Sequence, residues 1–342
     1  MSRHLLIKLV MLAVIFTGST PSIAAESAKT EDYTPTESFS DWLEQFKIDA
    51  RTAGITPTTI ETALGSIKPI PRVIELDRKQ PEFSLTFREY LNNVGSDDRI
   101  ARGKRKLAEH RKLLNRVSAK YGVPPQIIVA LWAVETDFGR LTGGFEVIPA
   151  LATLAHDGRR SNFFRQELIN ALTIIDQGHI SAANMIGSWA GAMGQCQFMP
   201  SSFLNAAVDD NHDGRKDIWK TQSDVFASAA NLMRRNGWEK GRIWGRPVLL
   251  PDSFDMTQVG HETSKTLAEW QTIGVRRSGG RDLPRVDITG SIIMPAGADG
   301  PAFLVYENFR AILKWNRSDF FALTVGYLSD RISGKKTVMF LK

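Results

Sequence analysis

The 342-residue chain is 42% hydrophobic and 23% charged, the balance of an ordinary globular protein with room for a substantial core and more than one structural lobe. Its 43 Lys and Arg outnumber 37 Asp and Glu, a net charge of +6. No long Lys/Arg tract accompanies that excess, so a nucleic-acid partner is not expected. A single cysteine, Cys196, excludes an internal disulfide.

The chain opens on a secretory pattern. Arg3 and Lys8 flank an apolar run, Leu9 to Phe16, and Pro21 to Ala25 supplies small residues for cleavage. Residues 1–24 read as a signal peptide, and residues 25–38 as a polar, disordered lead-in. Removing 1–24 takes away two basic residues and leaves a charge of +4. A mildly basic chain of this kind suits an anionic envelope polymer or a membrane surface. No cysteine stands near the cleavage site, and no later stretch reaches about 18 apolar residues. The expectation is a periplasmic chain with neither lipid anchor nor membrane span.

From residue 39 to about 120 the pattern is helical, a first lobe. Phe39, Trp42, Leu43 and Phe46 share a face, Thr56-Pro57 and Ser66–Pro71 interrupt, and Phe83–Val94 resumes. Arg102–Arg116 reads as a basic, solvated helix face. A core follows over 121–245. Ala150–Leu154, Phe163–Ile175, Ser181–Met193 and Ser223–Arg235 are expected as helices, the last capped by Ser223. Residues 246–306 turn β-like at Val248–Leu250, Val286–Met294 and Ala302–Tyr306, a small β-containing lobe. Helices return over 307–342 at Glu307–Trp315 and Ser318–Ile332. The class is mainly α (α+β).

The core's first helix carries the chain's most informative carboxylate. Pro124 and Pro125 suit a helix start and Gly139 a stop. Between them Ile128, Leu131, Trp132, Glu135 and Phe138 fall on one helical face, four of the five apolar. Asp137 lies about 200° round from Glu135 at 3.6 residues per turn. An apolar setting desolvates a carboxylate and raises its pKa, which a general acid working near neutrality requires. The alternative is a buried Glu paired with an Arg or holding a loop amide.

Two further stretches could carry chemistry. In Ser188–Ser202, Gly191 and Gly194 permit close backbone approach, and Gln195 and Gln197 offer uncharged amides of the sort that suit a carbohydrate. Such a stretch equally suits a helix crossing. In Asp209–Asp224, Asp209, Asn211, Asp213, Gly214 and Asp217 fall at positions 1, 3, 5, 6 and 9 of a calcium loop, with the Arg215 carbonyl at 7. Lys220 stands at position 12, where a bidentate Glu belongs, so an ordinary EF-hand fails and an Asx-rich turn remains the alternative. His156 and His179 show no ligand spacing, and Cys196 suits a buried thiol.

In sequence the chain resembles the membrane-bound lytic murein transglycosylase B family, glycoside hydrolase family 103. The likeness rests on ALWAVETDFGR, PALATLAHDGRR, AGAMGQCQFMPSS, AVDDNHDGRKDIW and SAANLMRRNGW, about 120 residues in the family's order. It implies a lysozyme-like helical core with an additional helical lobe and a small β lobe. Glu135 matches the family's single catalytic acid, and Ser188 and Gln197 match its sugar groove. Asn316 matches a site asparagine in LKWNRSDFFALTV. Trp315, Phe321 and Leu232 replace tyrosines; Trp315 and Phe321 could still stack on sugar rings. The family's calcium loop is longer and closes on a carboxylate matched by Asp224.

The activity implied is cleavage of peptidoglycan between N-acetylmuramic acid and N-acetylglucosamine. The muramic C6 hydroxyl closes a 1,6-anhydro ring, with Glu135 as acid and then base. Groove residues are expected at Ser188, Gln195, Gln197, Trp315, Asn316 and Phe321. A structural Ca2+ is expected on Asp209, Asn211, Asp213, Arg215 and Asp224, and no cofactor for catalysis. The partner is the glycan strand, with other cell-wall enzymes left open. Two alternatives stand: a non-catalytic peptidoglycan-binding scaffold, and a muramidase using water.

Overall fold

The structure is a computed structural model and describes residues 37–79, 85–337 and 339. The expected signal peptide and nearly all of the lead-in lie outside the described residues. In chain order the elements begin with α1 (Phe39–Thr52), α2 (Pro57–Leu64), α3 (Pro71–Arg78), α4 (Phe87–Val94), α5 (Asp97–Glu109), α6 (Arg111–Tyr121) and α7 (Pro125–Thr136). Next come β1 (Phe145–Glu146), α8 (Val147–Asp157), α9 (Ser161–Asp176), β2 (Ile186–Gly187), α10 (Pro200–Ala206) and α11 (Gln222–Arg235). The last third holds β3 (Gly245–Leu249), β4 (Lys265–Thr266), α12 (Leu267–Ile273), β5 (Arg276–Arg277), β6 (Thr289–Ile293), β7 (Ala302–Val305), α13 (Glu307–Trp315) and α14 (Asp319–Ile332).

Many boundaries follow from local chemistry. Ser38 accepts the Asp41 amide and starts α1, and Thr56 accepts the Thr59 amide ahead of Pro57 and starts α2. The expected break at Thr56-Pro57 is therefore a helix start. Thr86 and Glu89 form a capping box on α4, and Ser318 caps α14 as its sequence implies. The basic run 102–116 is two helices meeting at His110 rather than one.

The chain divides into two compact units, each built from two stretches. The first comprises the described parts of Met1–Glu82 and Gly139–Val225. In it α8 packs against α9, α3 and α1, and α9 against α10 and α2. The second comprises the described parts of Phe83–Phe138 and Phe226–Lys342. There α7 packs against α14, α5 and α6, and α14 also meets α4 and α13. This differs from the contiguous segments expected, because the 121–245 segment is shared between the units. Helix α7 is claimed by α5 and α6 before it and α14 far behind it.

The β portion is an antiparallel five-stranded sheet, order β4-β6-β7-β3-β5, inside the second unit. Its core gathers Trp270, Leu267, Val275, Ile292 and Leu304, and the Trp270 indole donates to the Gly290 carbonyl at 2.8 Å. The strands expected near 248, 290 and 302 are β3, β6 and β7. The short β4 and β5 and helix α12 carry no two-residue alternation long enough to announce them.

The helix expected over Ser181–Met193 is absent. A single 3-10 turn at Ala182–Asn184 leads into β2, and the backbone then loops, with Gly191 and Gly194 at φ 86° and 63°. A side chain at Gly194 would bring a Cβ within 2.6 Å of the Ile218 carbonyl. Close packing of backbone on backbone, not helix crossing, is what the small residues serve here.

Candidate functional site

Helix α7 is apolar on every side. Ile127 through Ala133 are all buried, so the single face expected from spacing is an entirely enclosed helix. It stops three residues earlier than Gly139. Asp137 and Phe138 both take left-handed conformations (φ 52° and 64°), with Gly139 at 79°, so Phe138 does not continue the helical face. Non-glycine residues seldom adopt that region. Here the turn is held by the Phe138 amide on the Trp132 carbonyl and by an ion pair. The buried Asp137 carboxylate accepts from Arg102 Nη1 at 2.6 Å and Arg99 Nε at 3.3 Å.

The next-to-last residue of α7 is Glu135, half-buried. Its Oε1 accepts a hydrogen bond from the Trp315 indole Nε1 at 2.8 Å. Burial pushes the Glu135 carboxyl up to about 8, against a smaller lowering by the indole. Among the described residues no Arg or Lys pairs with it, which removes the alternative of a buried ion pair. The carboxyl is protonated near neutral pH and held by a donor that cannot itself ionise.

Tyr90 of α4 was not singled out by sequence and belongs to this group. Burial raises its phenol, and the Glu135 charge raises it further. Its ring meets Phe320 with centroids 5.9 Å apart. Nothing in the local pattern of α4 signals that pairing. Asn316 ends α13 and turns its Oδ1 to the Ser318 amide at 3.1 Å. Trp315 and Asn316 are part-exposed, whereas Phe321 is 3% exposed in the core. A ring so covered has no face to stack on a sugar, which corrects the role expected of Phe321; Leu232 is similarly buried.

The other expected groove residues lie in the first unit. Ser188 is buried, and its Oγ accepts the amides of Ala192 at 2.9 Å and Ala190 at 3.3 Å, shaping the loop. Gln195 donates from Nε2 to the Trp219 carbonyl at 2.9 Å. Gln197, at φ 51°, donates from Nε2 to the carbonyls of Gly194 (2.8 Å) and Thr142 (3.1 Å). Its Oε1 is buried with no hydrogen-bond partner among the described residues. Cys196 is buried and bonds the Val225 carbonyl through Sγ; His179 Nδ1 accepts the Lys216 amide, a structural contact.

The acidic loop is an Asx-rich turn in its hydrogen bonding. Asp209 accepts the amides of Asp213 and Gly214, and Asp213 accepts that of Arg215 and the Asn211 amide group. Asp224 is fully buried and gives both oxygens to backbone, Oδ1 to the Asp210 amide and Oδ2 to the Asp217 amide, each at 2.9 Å. Burial raises its pKa. Through these two bonds it braces the loop, as Asp209 does through its own pair of amides. The helix α11 starts at Gln222, so Ser223 lies in the first turn and is not its cap; the Thr221 carbonyl accepts the first amides. The oxygens of Asp209, Asn211 and Asp213 and the Arg215 carbonyl remain a donor set of the kind hard cations take.

Comparison with known proteins places these features in a family. A family model described as "Transglycosylase SLT domain" matches residues 38–330. The chain is 29% identical over 296 residues to membrane-bound lytic murein transglycosylase B of Escherichia coli (strain K12), covering 82% of this chain and 79% of that protein. It resembles the crystal structure of SltB3 from Pseudomonas aeruginosa in complex with NAG-anhNAM-pentapeptide at 41% identity and TM-score 0.86, over 90% of this chain and 82% of that one. The Escherichia coli lytic transglycosylase Slt35 in complex with calcium matches at 28% identity and TM-score 0.73, over 85% and 92%. With nearly the whole described chain matched, the protein belongs to the transglycosylase SLT domain family and is a lytic murein transglycosylase of lysozyme-like, mainly helical fold.

Proposed function

We propose that this enzyme cleaves the β-1,4 bond between N-acetylmuramic acid and N-acetylglucosamine in peptidoglycan with Glu135 as the single acid and base. The observation that carries this is the Glu135 carboxyl, raised to about 8 by burial and bonded among the described residues only to the Trp315 indole. Protonated at neutral pH, it gives its proton to the glycosidic oxygen as the C1–O bond breaks. The resulting carboxylate then takes the proton of the muramic C6 hydroxyl while O6 bonds C1, which yields the 1,6-anhydro ring and restores the acid. An attacking group on the same sugar has a high effective concentration, so no second carboxylate is needed to activate water. Asp137, two residues on, is committed to Arg99 and Arg102.

Several features support the reading. Trp315 and Asn316 stay partly exposed, and the Trp315 indole sits on the acid. The SltB3 relative holds NAG-anhNAM-pentapeptide in one structure and NAG-NAM-pentapeptide in another. We further infer a periplasmic location after loss of residues 1–24, and a structural calcium on Asp209, Asn211, Asp213 and the Arg215 carbonyl. When bound, that ion would neutralise the acidic loop and fix its shape. Digestion of purified sacculi tests the reaction. Anhydro-muropeptides are expected from the native enzyme and none from Glu135→Gln. Products one water heavier would establish a muramidase, and binding without release a scaffold.

A further inference from the structure

The reaction proposed above makes no use of the outer side of α5 and α6. Residues 97–121 carry nine Lys and Arg against three Asp and Glu, an excess of six. That equals the excess of the whole chain, so everything outside these two helices is neutral in sum. The three acids are already engaged. Asp98 pairs with Arg102, Asp97 with Arg331, and Glu109 with Lys106 and His110. By contrast Lys104, Arg105, Arg111 and Lys112 are exposed and make no ion pair among the described residues.

These cations form a basic row along the sequence, carried by two helices that meet at His110. Helical bonding breaks at His110 (φ −100°, ψ 16°), whose amide on the Lys106 carbonyl ends α5 and whose carbonyl accepts the Leu114 amide that opens α6. Lys104 and Arg105 near the end of α5 and Arg111, Lys112 and Arg116 on α6 are all exposed. Exposed Ala101, Ala108 and Ala119 lie in the same row and leave the charges unobstructed. Buried Ile100 on α5 and buried Leu114 and Val117 on α6 anchor the two helices.

We propose that this row is a docking surface for an anionic phospholipid bilayer, holding the enzyme at a membrane face by charge alone. A shaped ligand would need a concavity or stacking rings, and the row has no exposed aromatic residue. A plane of fixed negative charge needs neither. Each Lys or Arg near such a surface adds an attraction that falls off within a Debye length.

Sedimentation with vesicles tests the proposal. The full chain should bind phosphatidylglycerol-containing vesicles at about 20 mM salt, ignore phosphatidylcholine vesicles, and release near 0.5 M. The variant K104E/R105E/R111E should lose at least about 100-fold in partitioning. The variant K240E/R281E/R285E, with the same change in charge on exposed residues elsewhere, should lose only a few-fold. Unchanged circular dichroism and muropeptide release certify both variants, so a failure of the catalytic reading shows separately. No sedimentation by the native chain overturns the proposal, as does equal loss in the two variants. Row-dependent binding to sacculi without binding to vesicles overturns it too, in favour of a polymer partner.

Discussion

The indole Nε1 of Trp315 donates to Oε1 of Glu135 at 2.8 Å across 180 residues of chain. An indole N–H can only donate, so Oε1 serves as acceptor whether or not the carboxyl is protonated. The transferable proton is therefore directed to Oε2. Trp315→Phe keeps the ring and removes the donor. Without the indole's lowering effect the Glu135 carboxyl climbs further, and the acid stays protonated to higher pH. The alkaline limb of the kcat/KM profile should move upward. A hydrogen bond to a charged group contributes about 1.5–3 kcal/mol, so kcat should drop by about 10- to 100-fold. A Trp315→Phe profile that overlays the native one would remove the indole from the mechanism.

The same carboxyl makes stability depend on pH. Its folded-state pKa, about 8, lies above the unfolded value of 4.5, so the folded state holds the proton more tightly. That contribution is full below about pH 4.5 and is lost as pH rises through about 8. Glu135→Gln has nothing to lose. Relative to native, its Tm should gain across this window and level off above it, a difference of about 2–5 kcal/mol at the top. Thermal melts of the two proteins at pH 5, 7 and 9 measure the gap; a constant gap contradicts the burial argument.

Asp137 holds the turn that ends α7. Its removal leaves Arg99, itself largely buried, without its carboxylate and puts an ordinary residue at φ 52°. Asp137→Ala should cost about 3–5 kcal/mol in urea unfolding. Asp137→Asn, which tolerates the left-handed region, should cost less. Equal costs would mean that charge alone matters at this position.

In the acidic loop, Asp224 and Asp209 should separate. Asp224→Ala strips the buried Asp210 and Asp217 amides of their acceptor and should cost about 2–3 kcal/mol with or without calcium. Native protein should melt higher in calcium than in chelator, and Asp209→Ala should abolish that difference. A calcium-dependent cost for Asp224→Ala would place it in the ligand set.

What the residues announce in advance, and what they conceal, divides by range. Pro124-Pro125 and Ser318 act within a turn of themselves, and α7 and α14 begin where those residues imply. Glu135 stood out because a carboxylate amid Ile128, Leu131 and Trp132 conflicts with its neighbours, and the conflict survives in its raised pKa. Ser181–Met193 misled because Gly191, Gly194 and the Ser188 hydroxyl act against helix while its alanines favour it. Trp315 is placed in the groove only by the family resemblance, and nothing in the sequence points to Tyr90. Their approach to Glu135 depends on α14, which packs on α7, α13 and α4, and no local pattern encodes that.

The five-stranded sheet has a bearing on behaviour in concentrated solution. Its outermost strands, β4 and β5, are two residues long and consist of Lys265-Thr266 and Arg276-Arg277. Rims so brief and so cationic present almost no unpaired backbone for a neighbouring copy to extend, and like charges repel the approach. This lobe should therefore resist fibrillar self-association even when the helical portions are stressed.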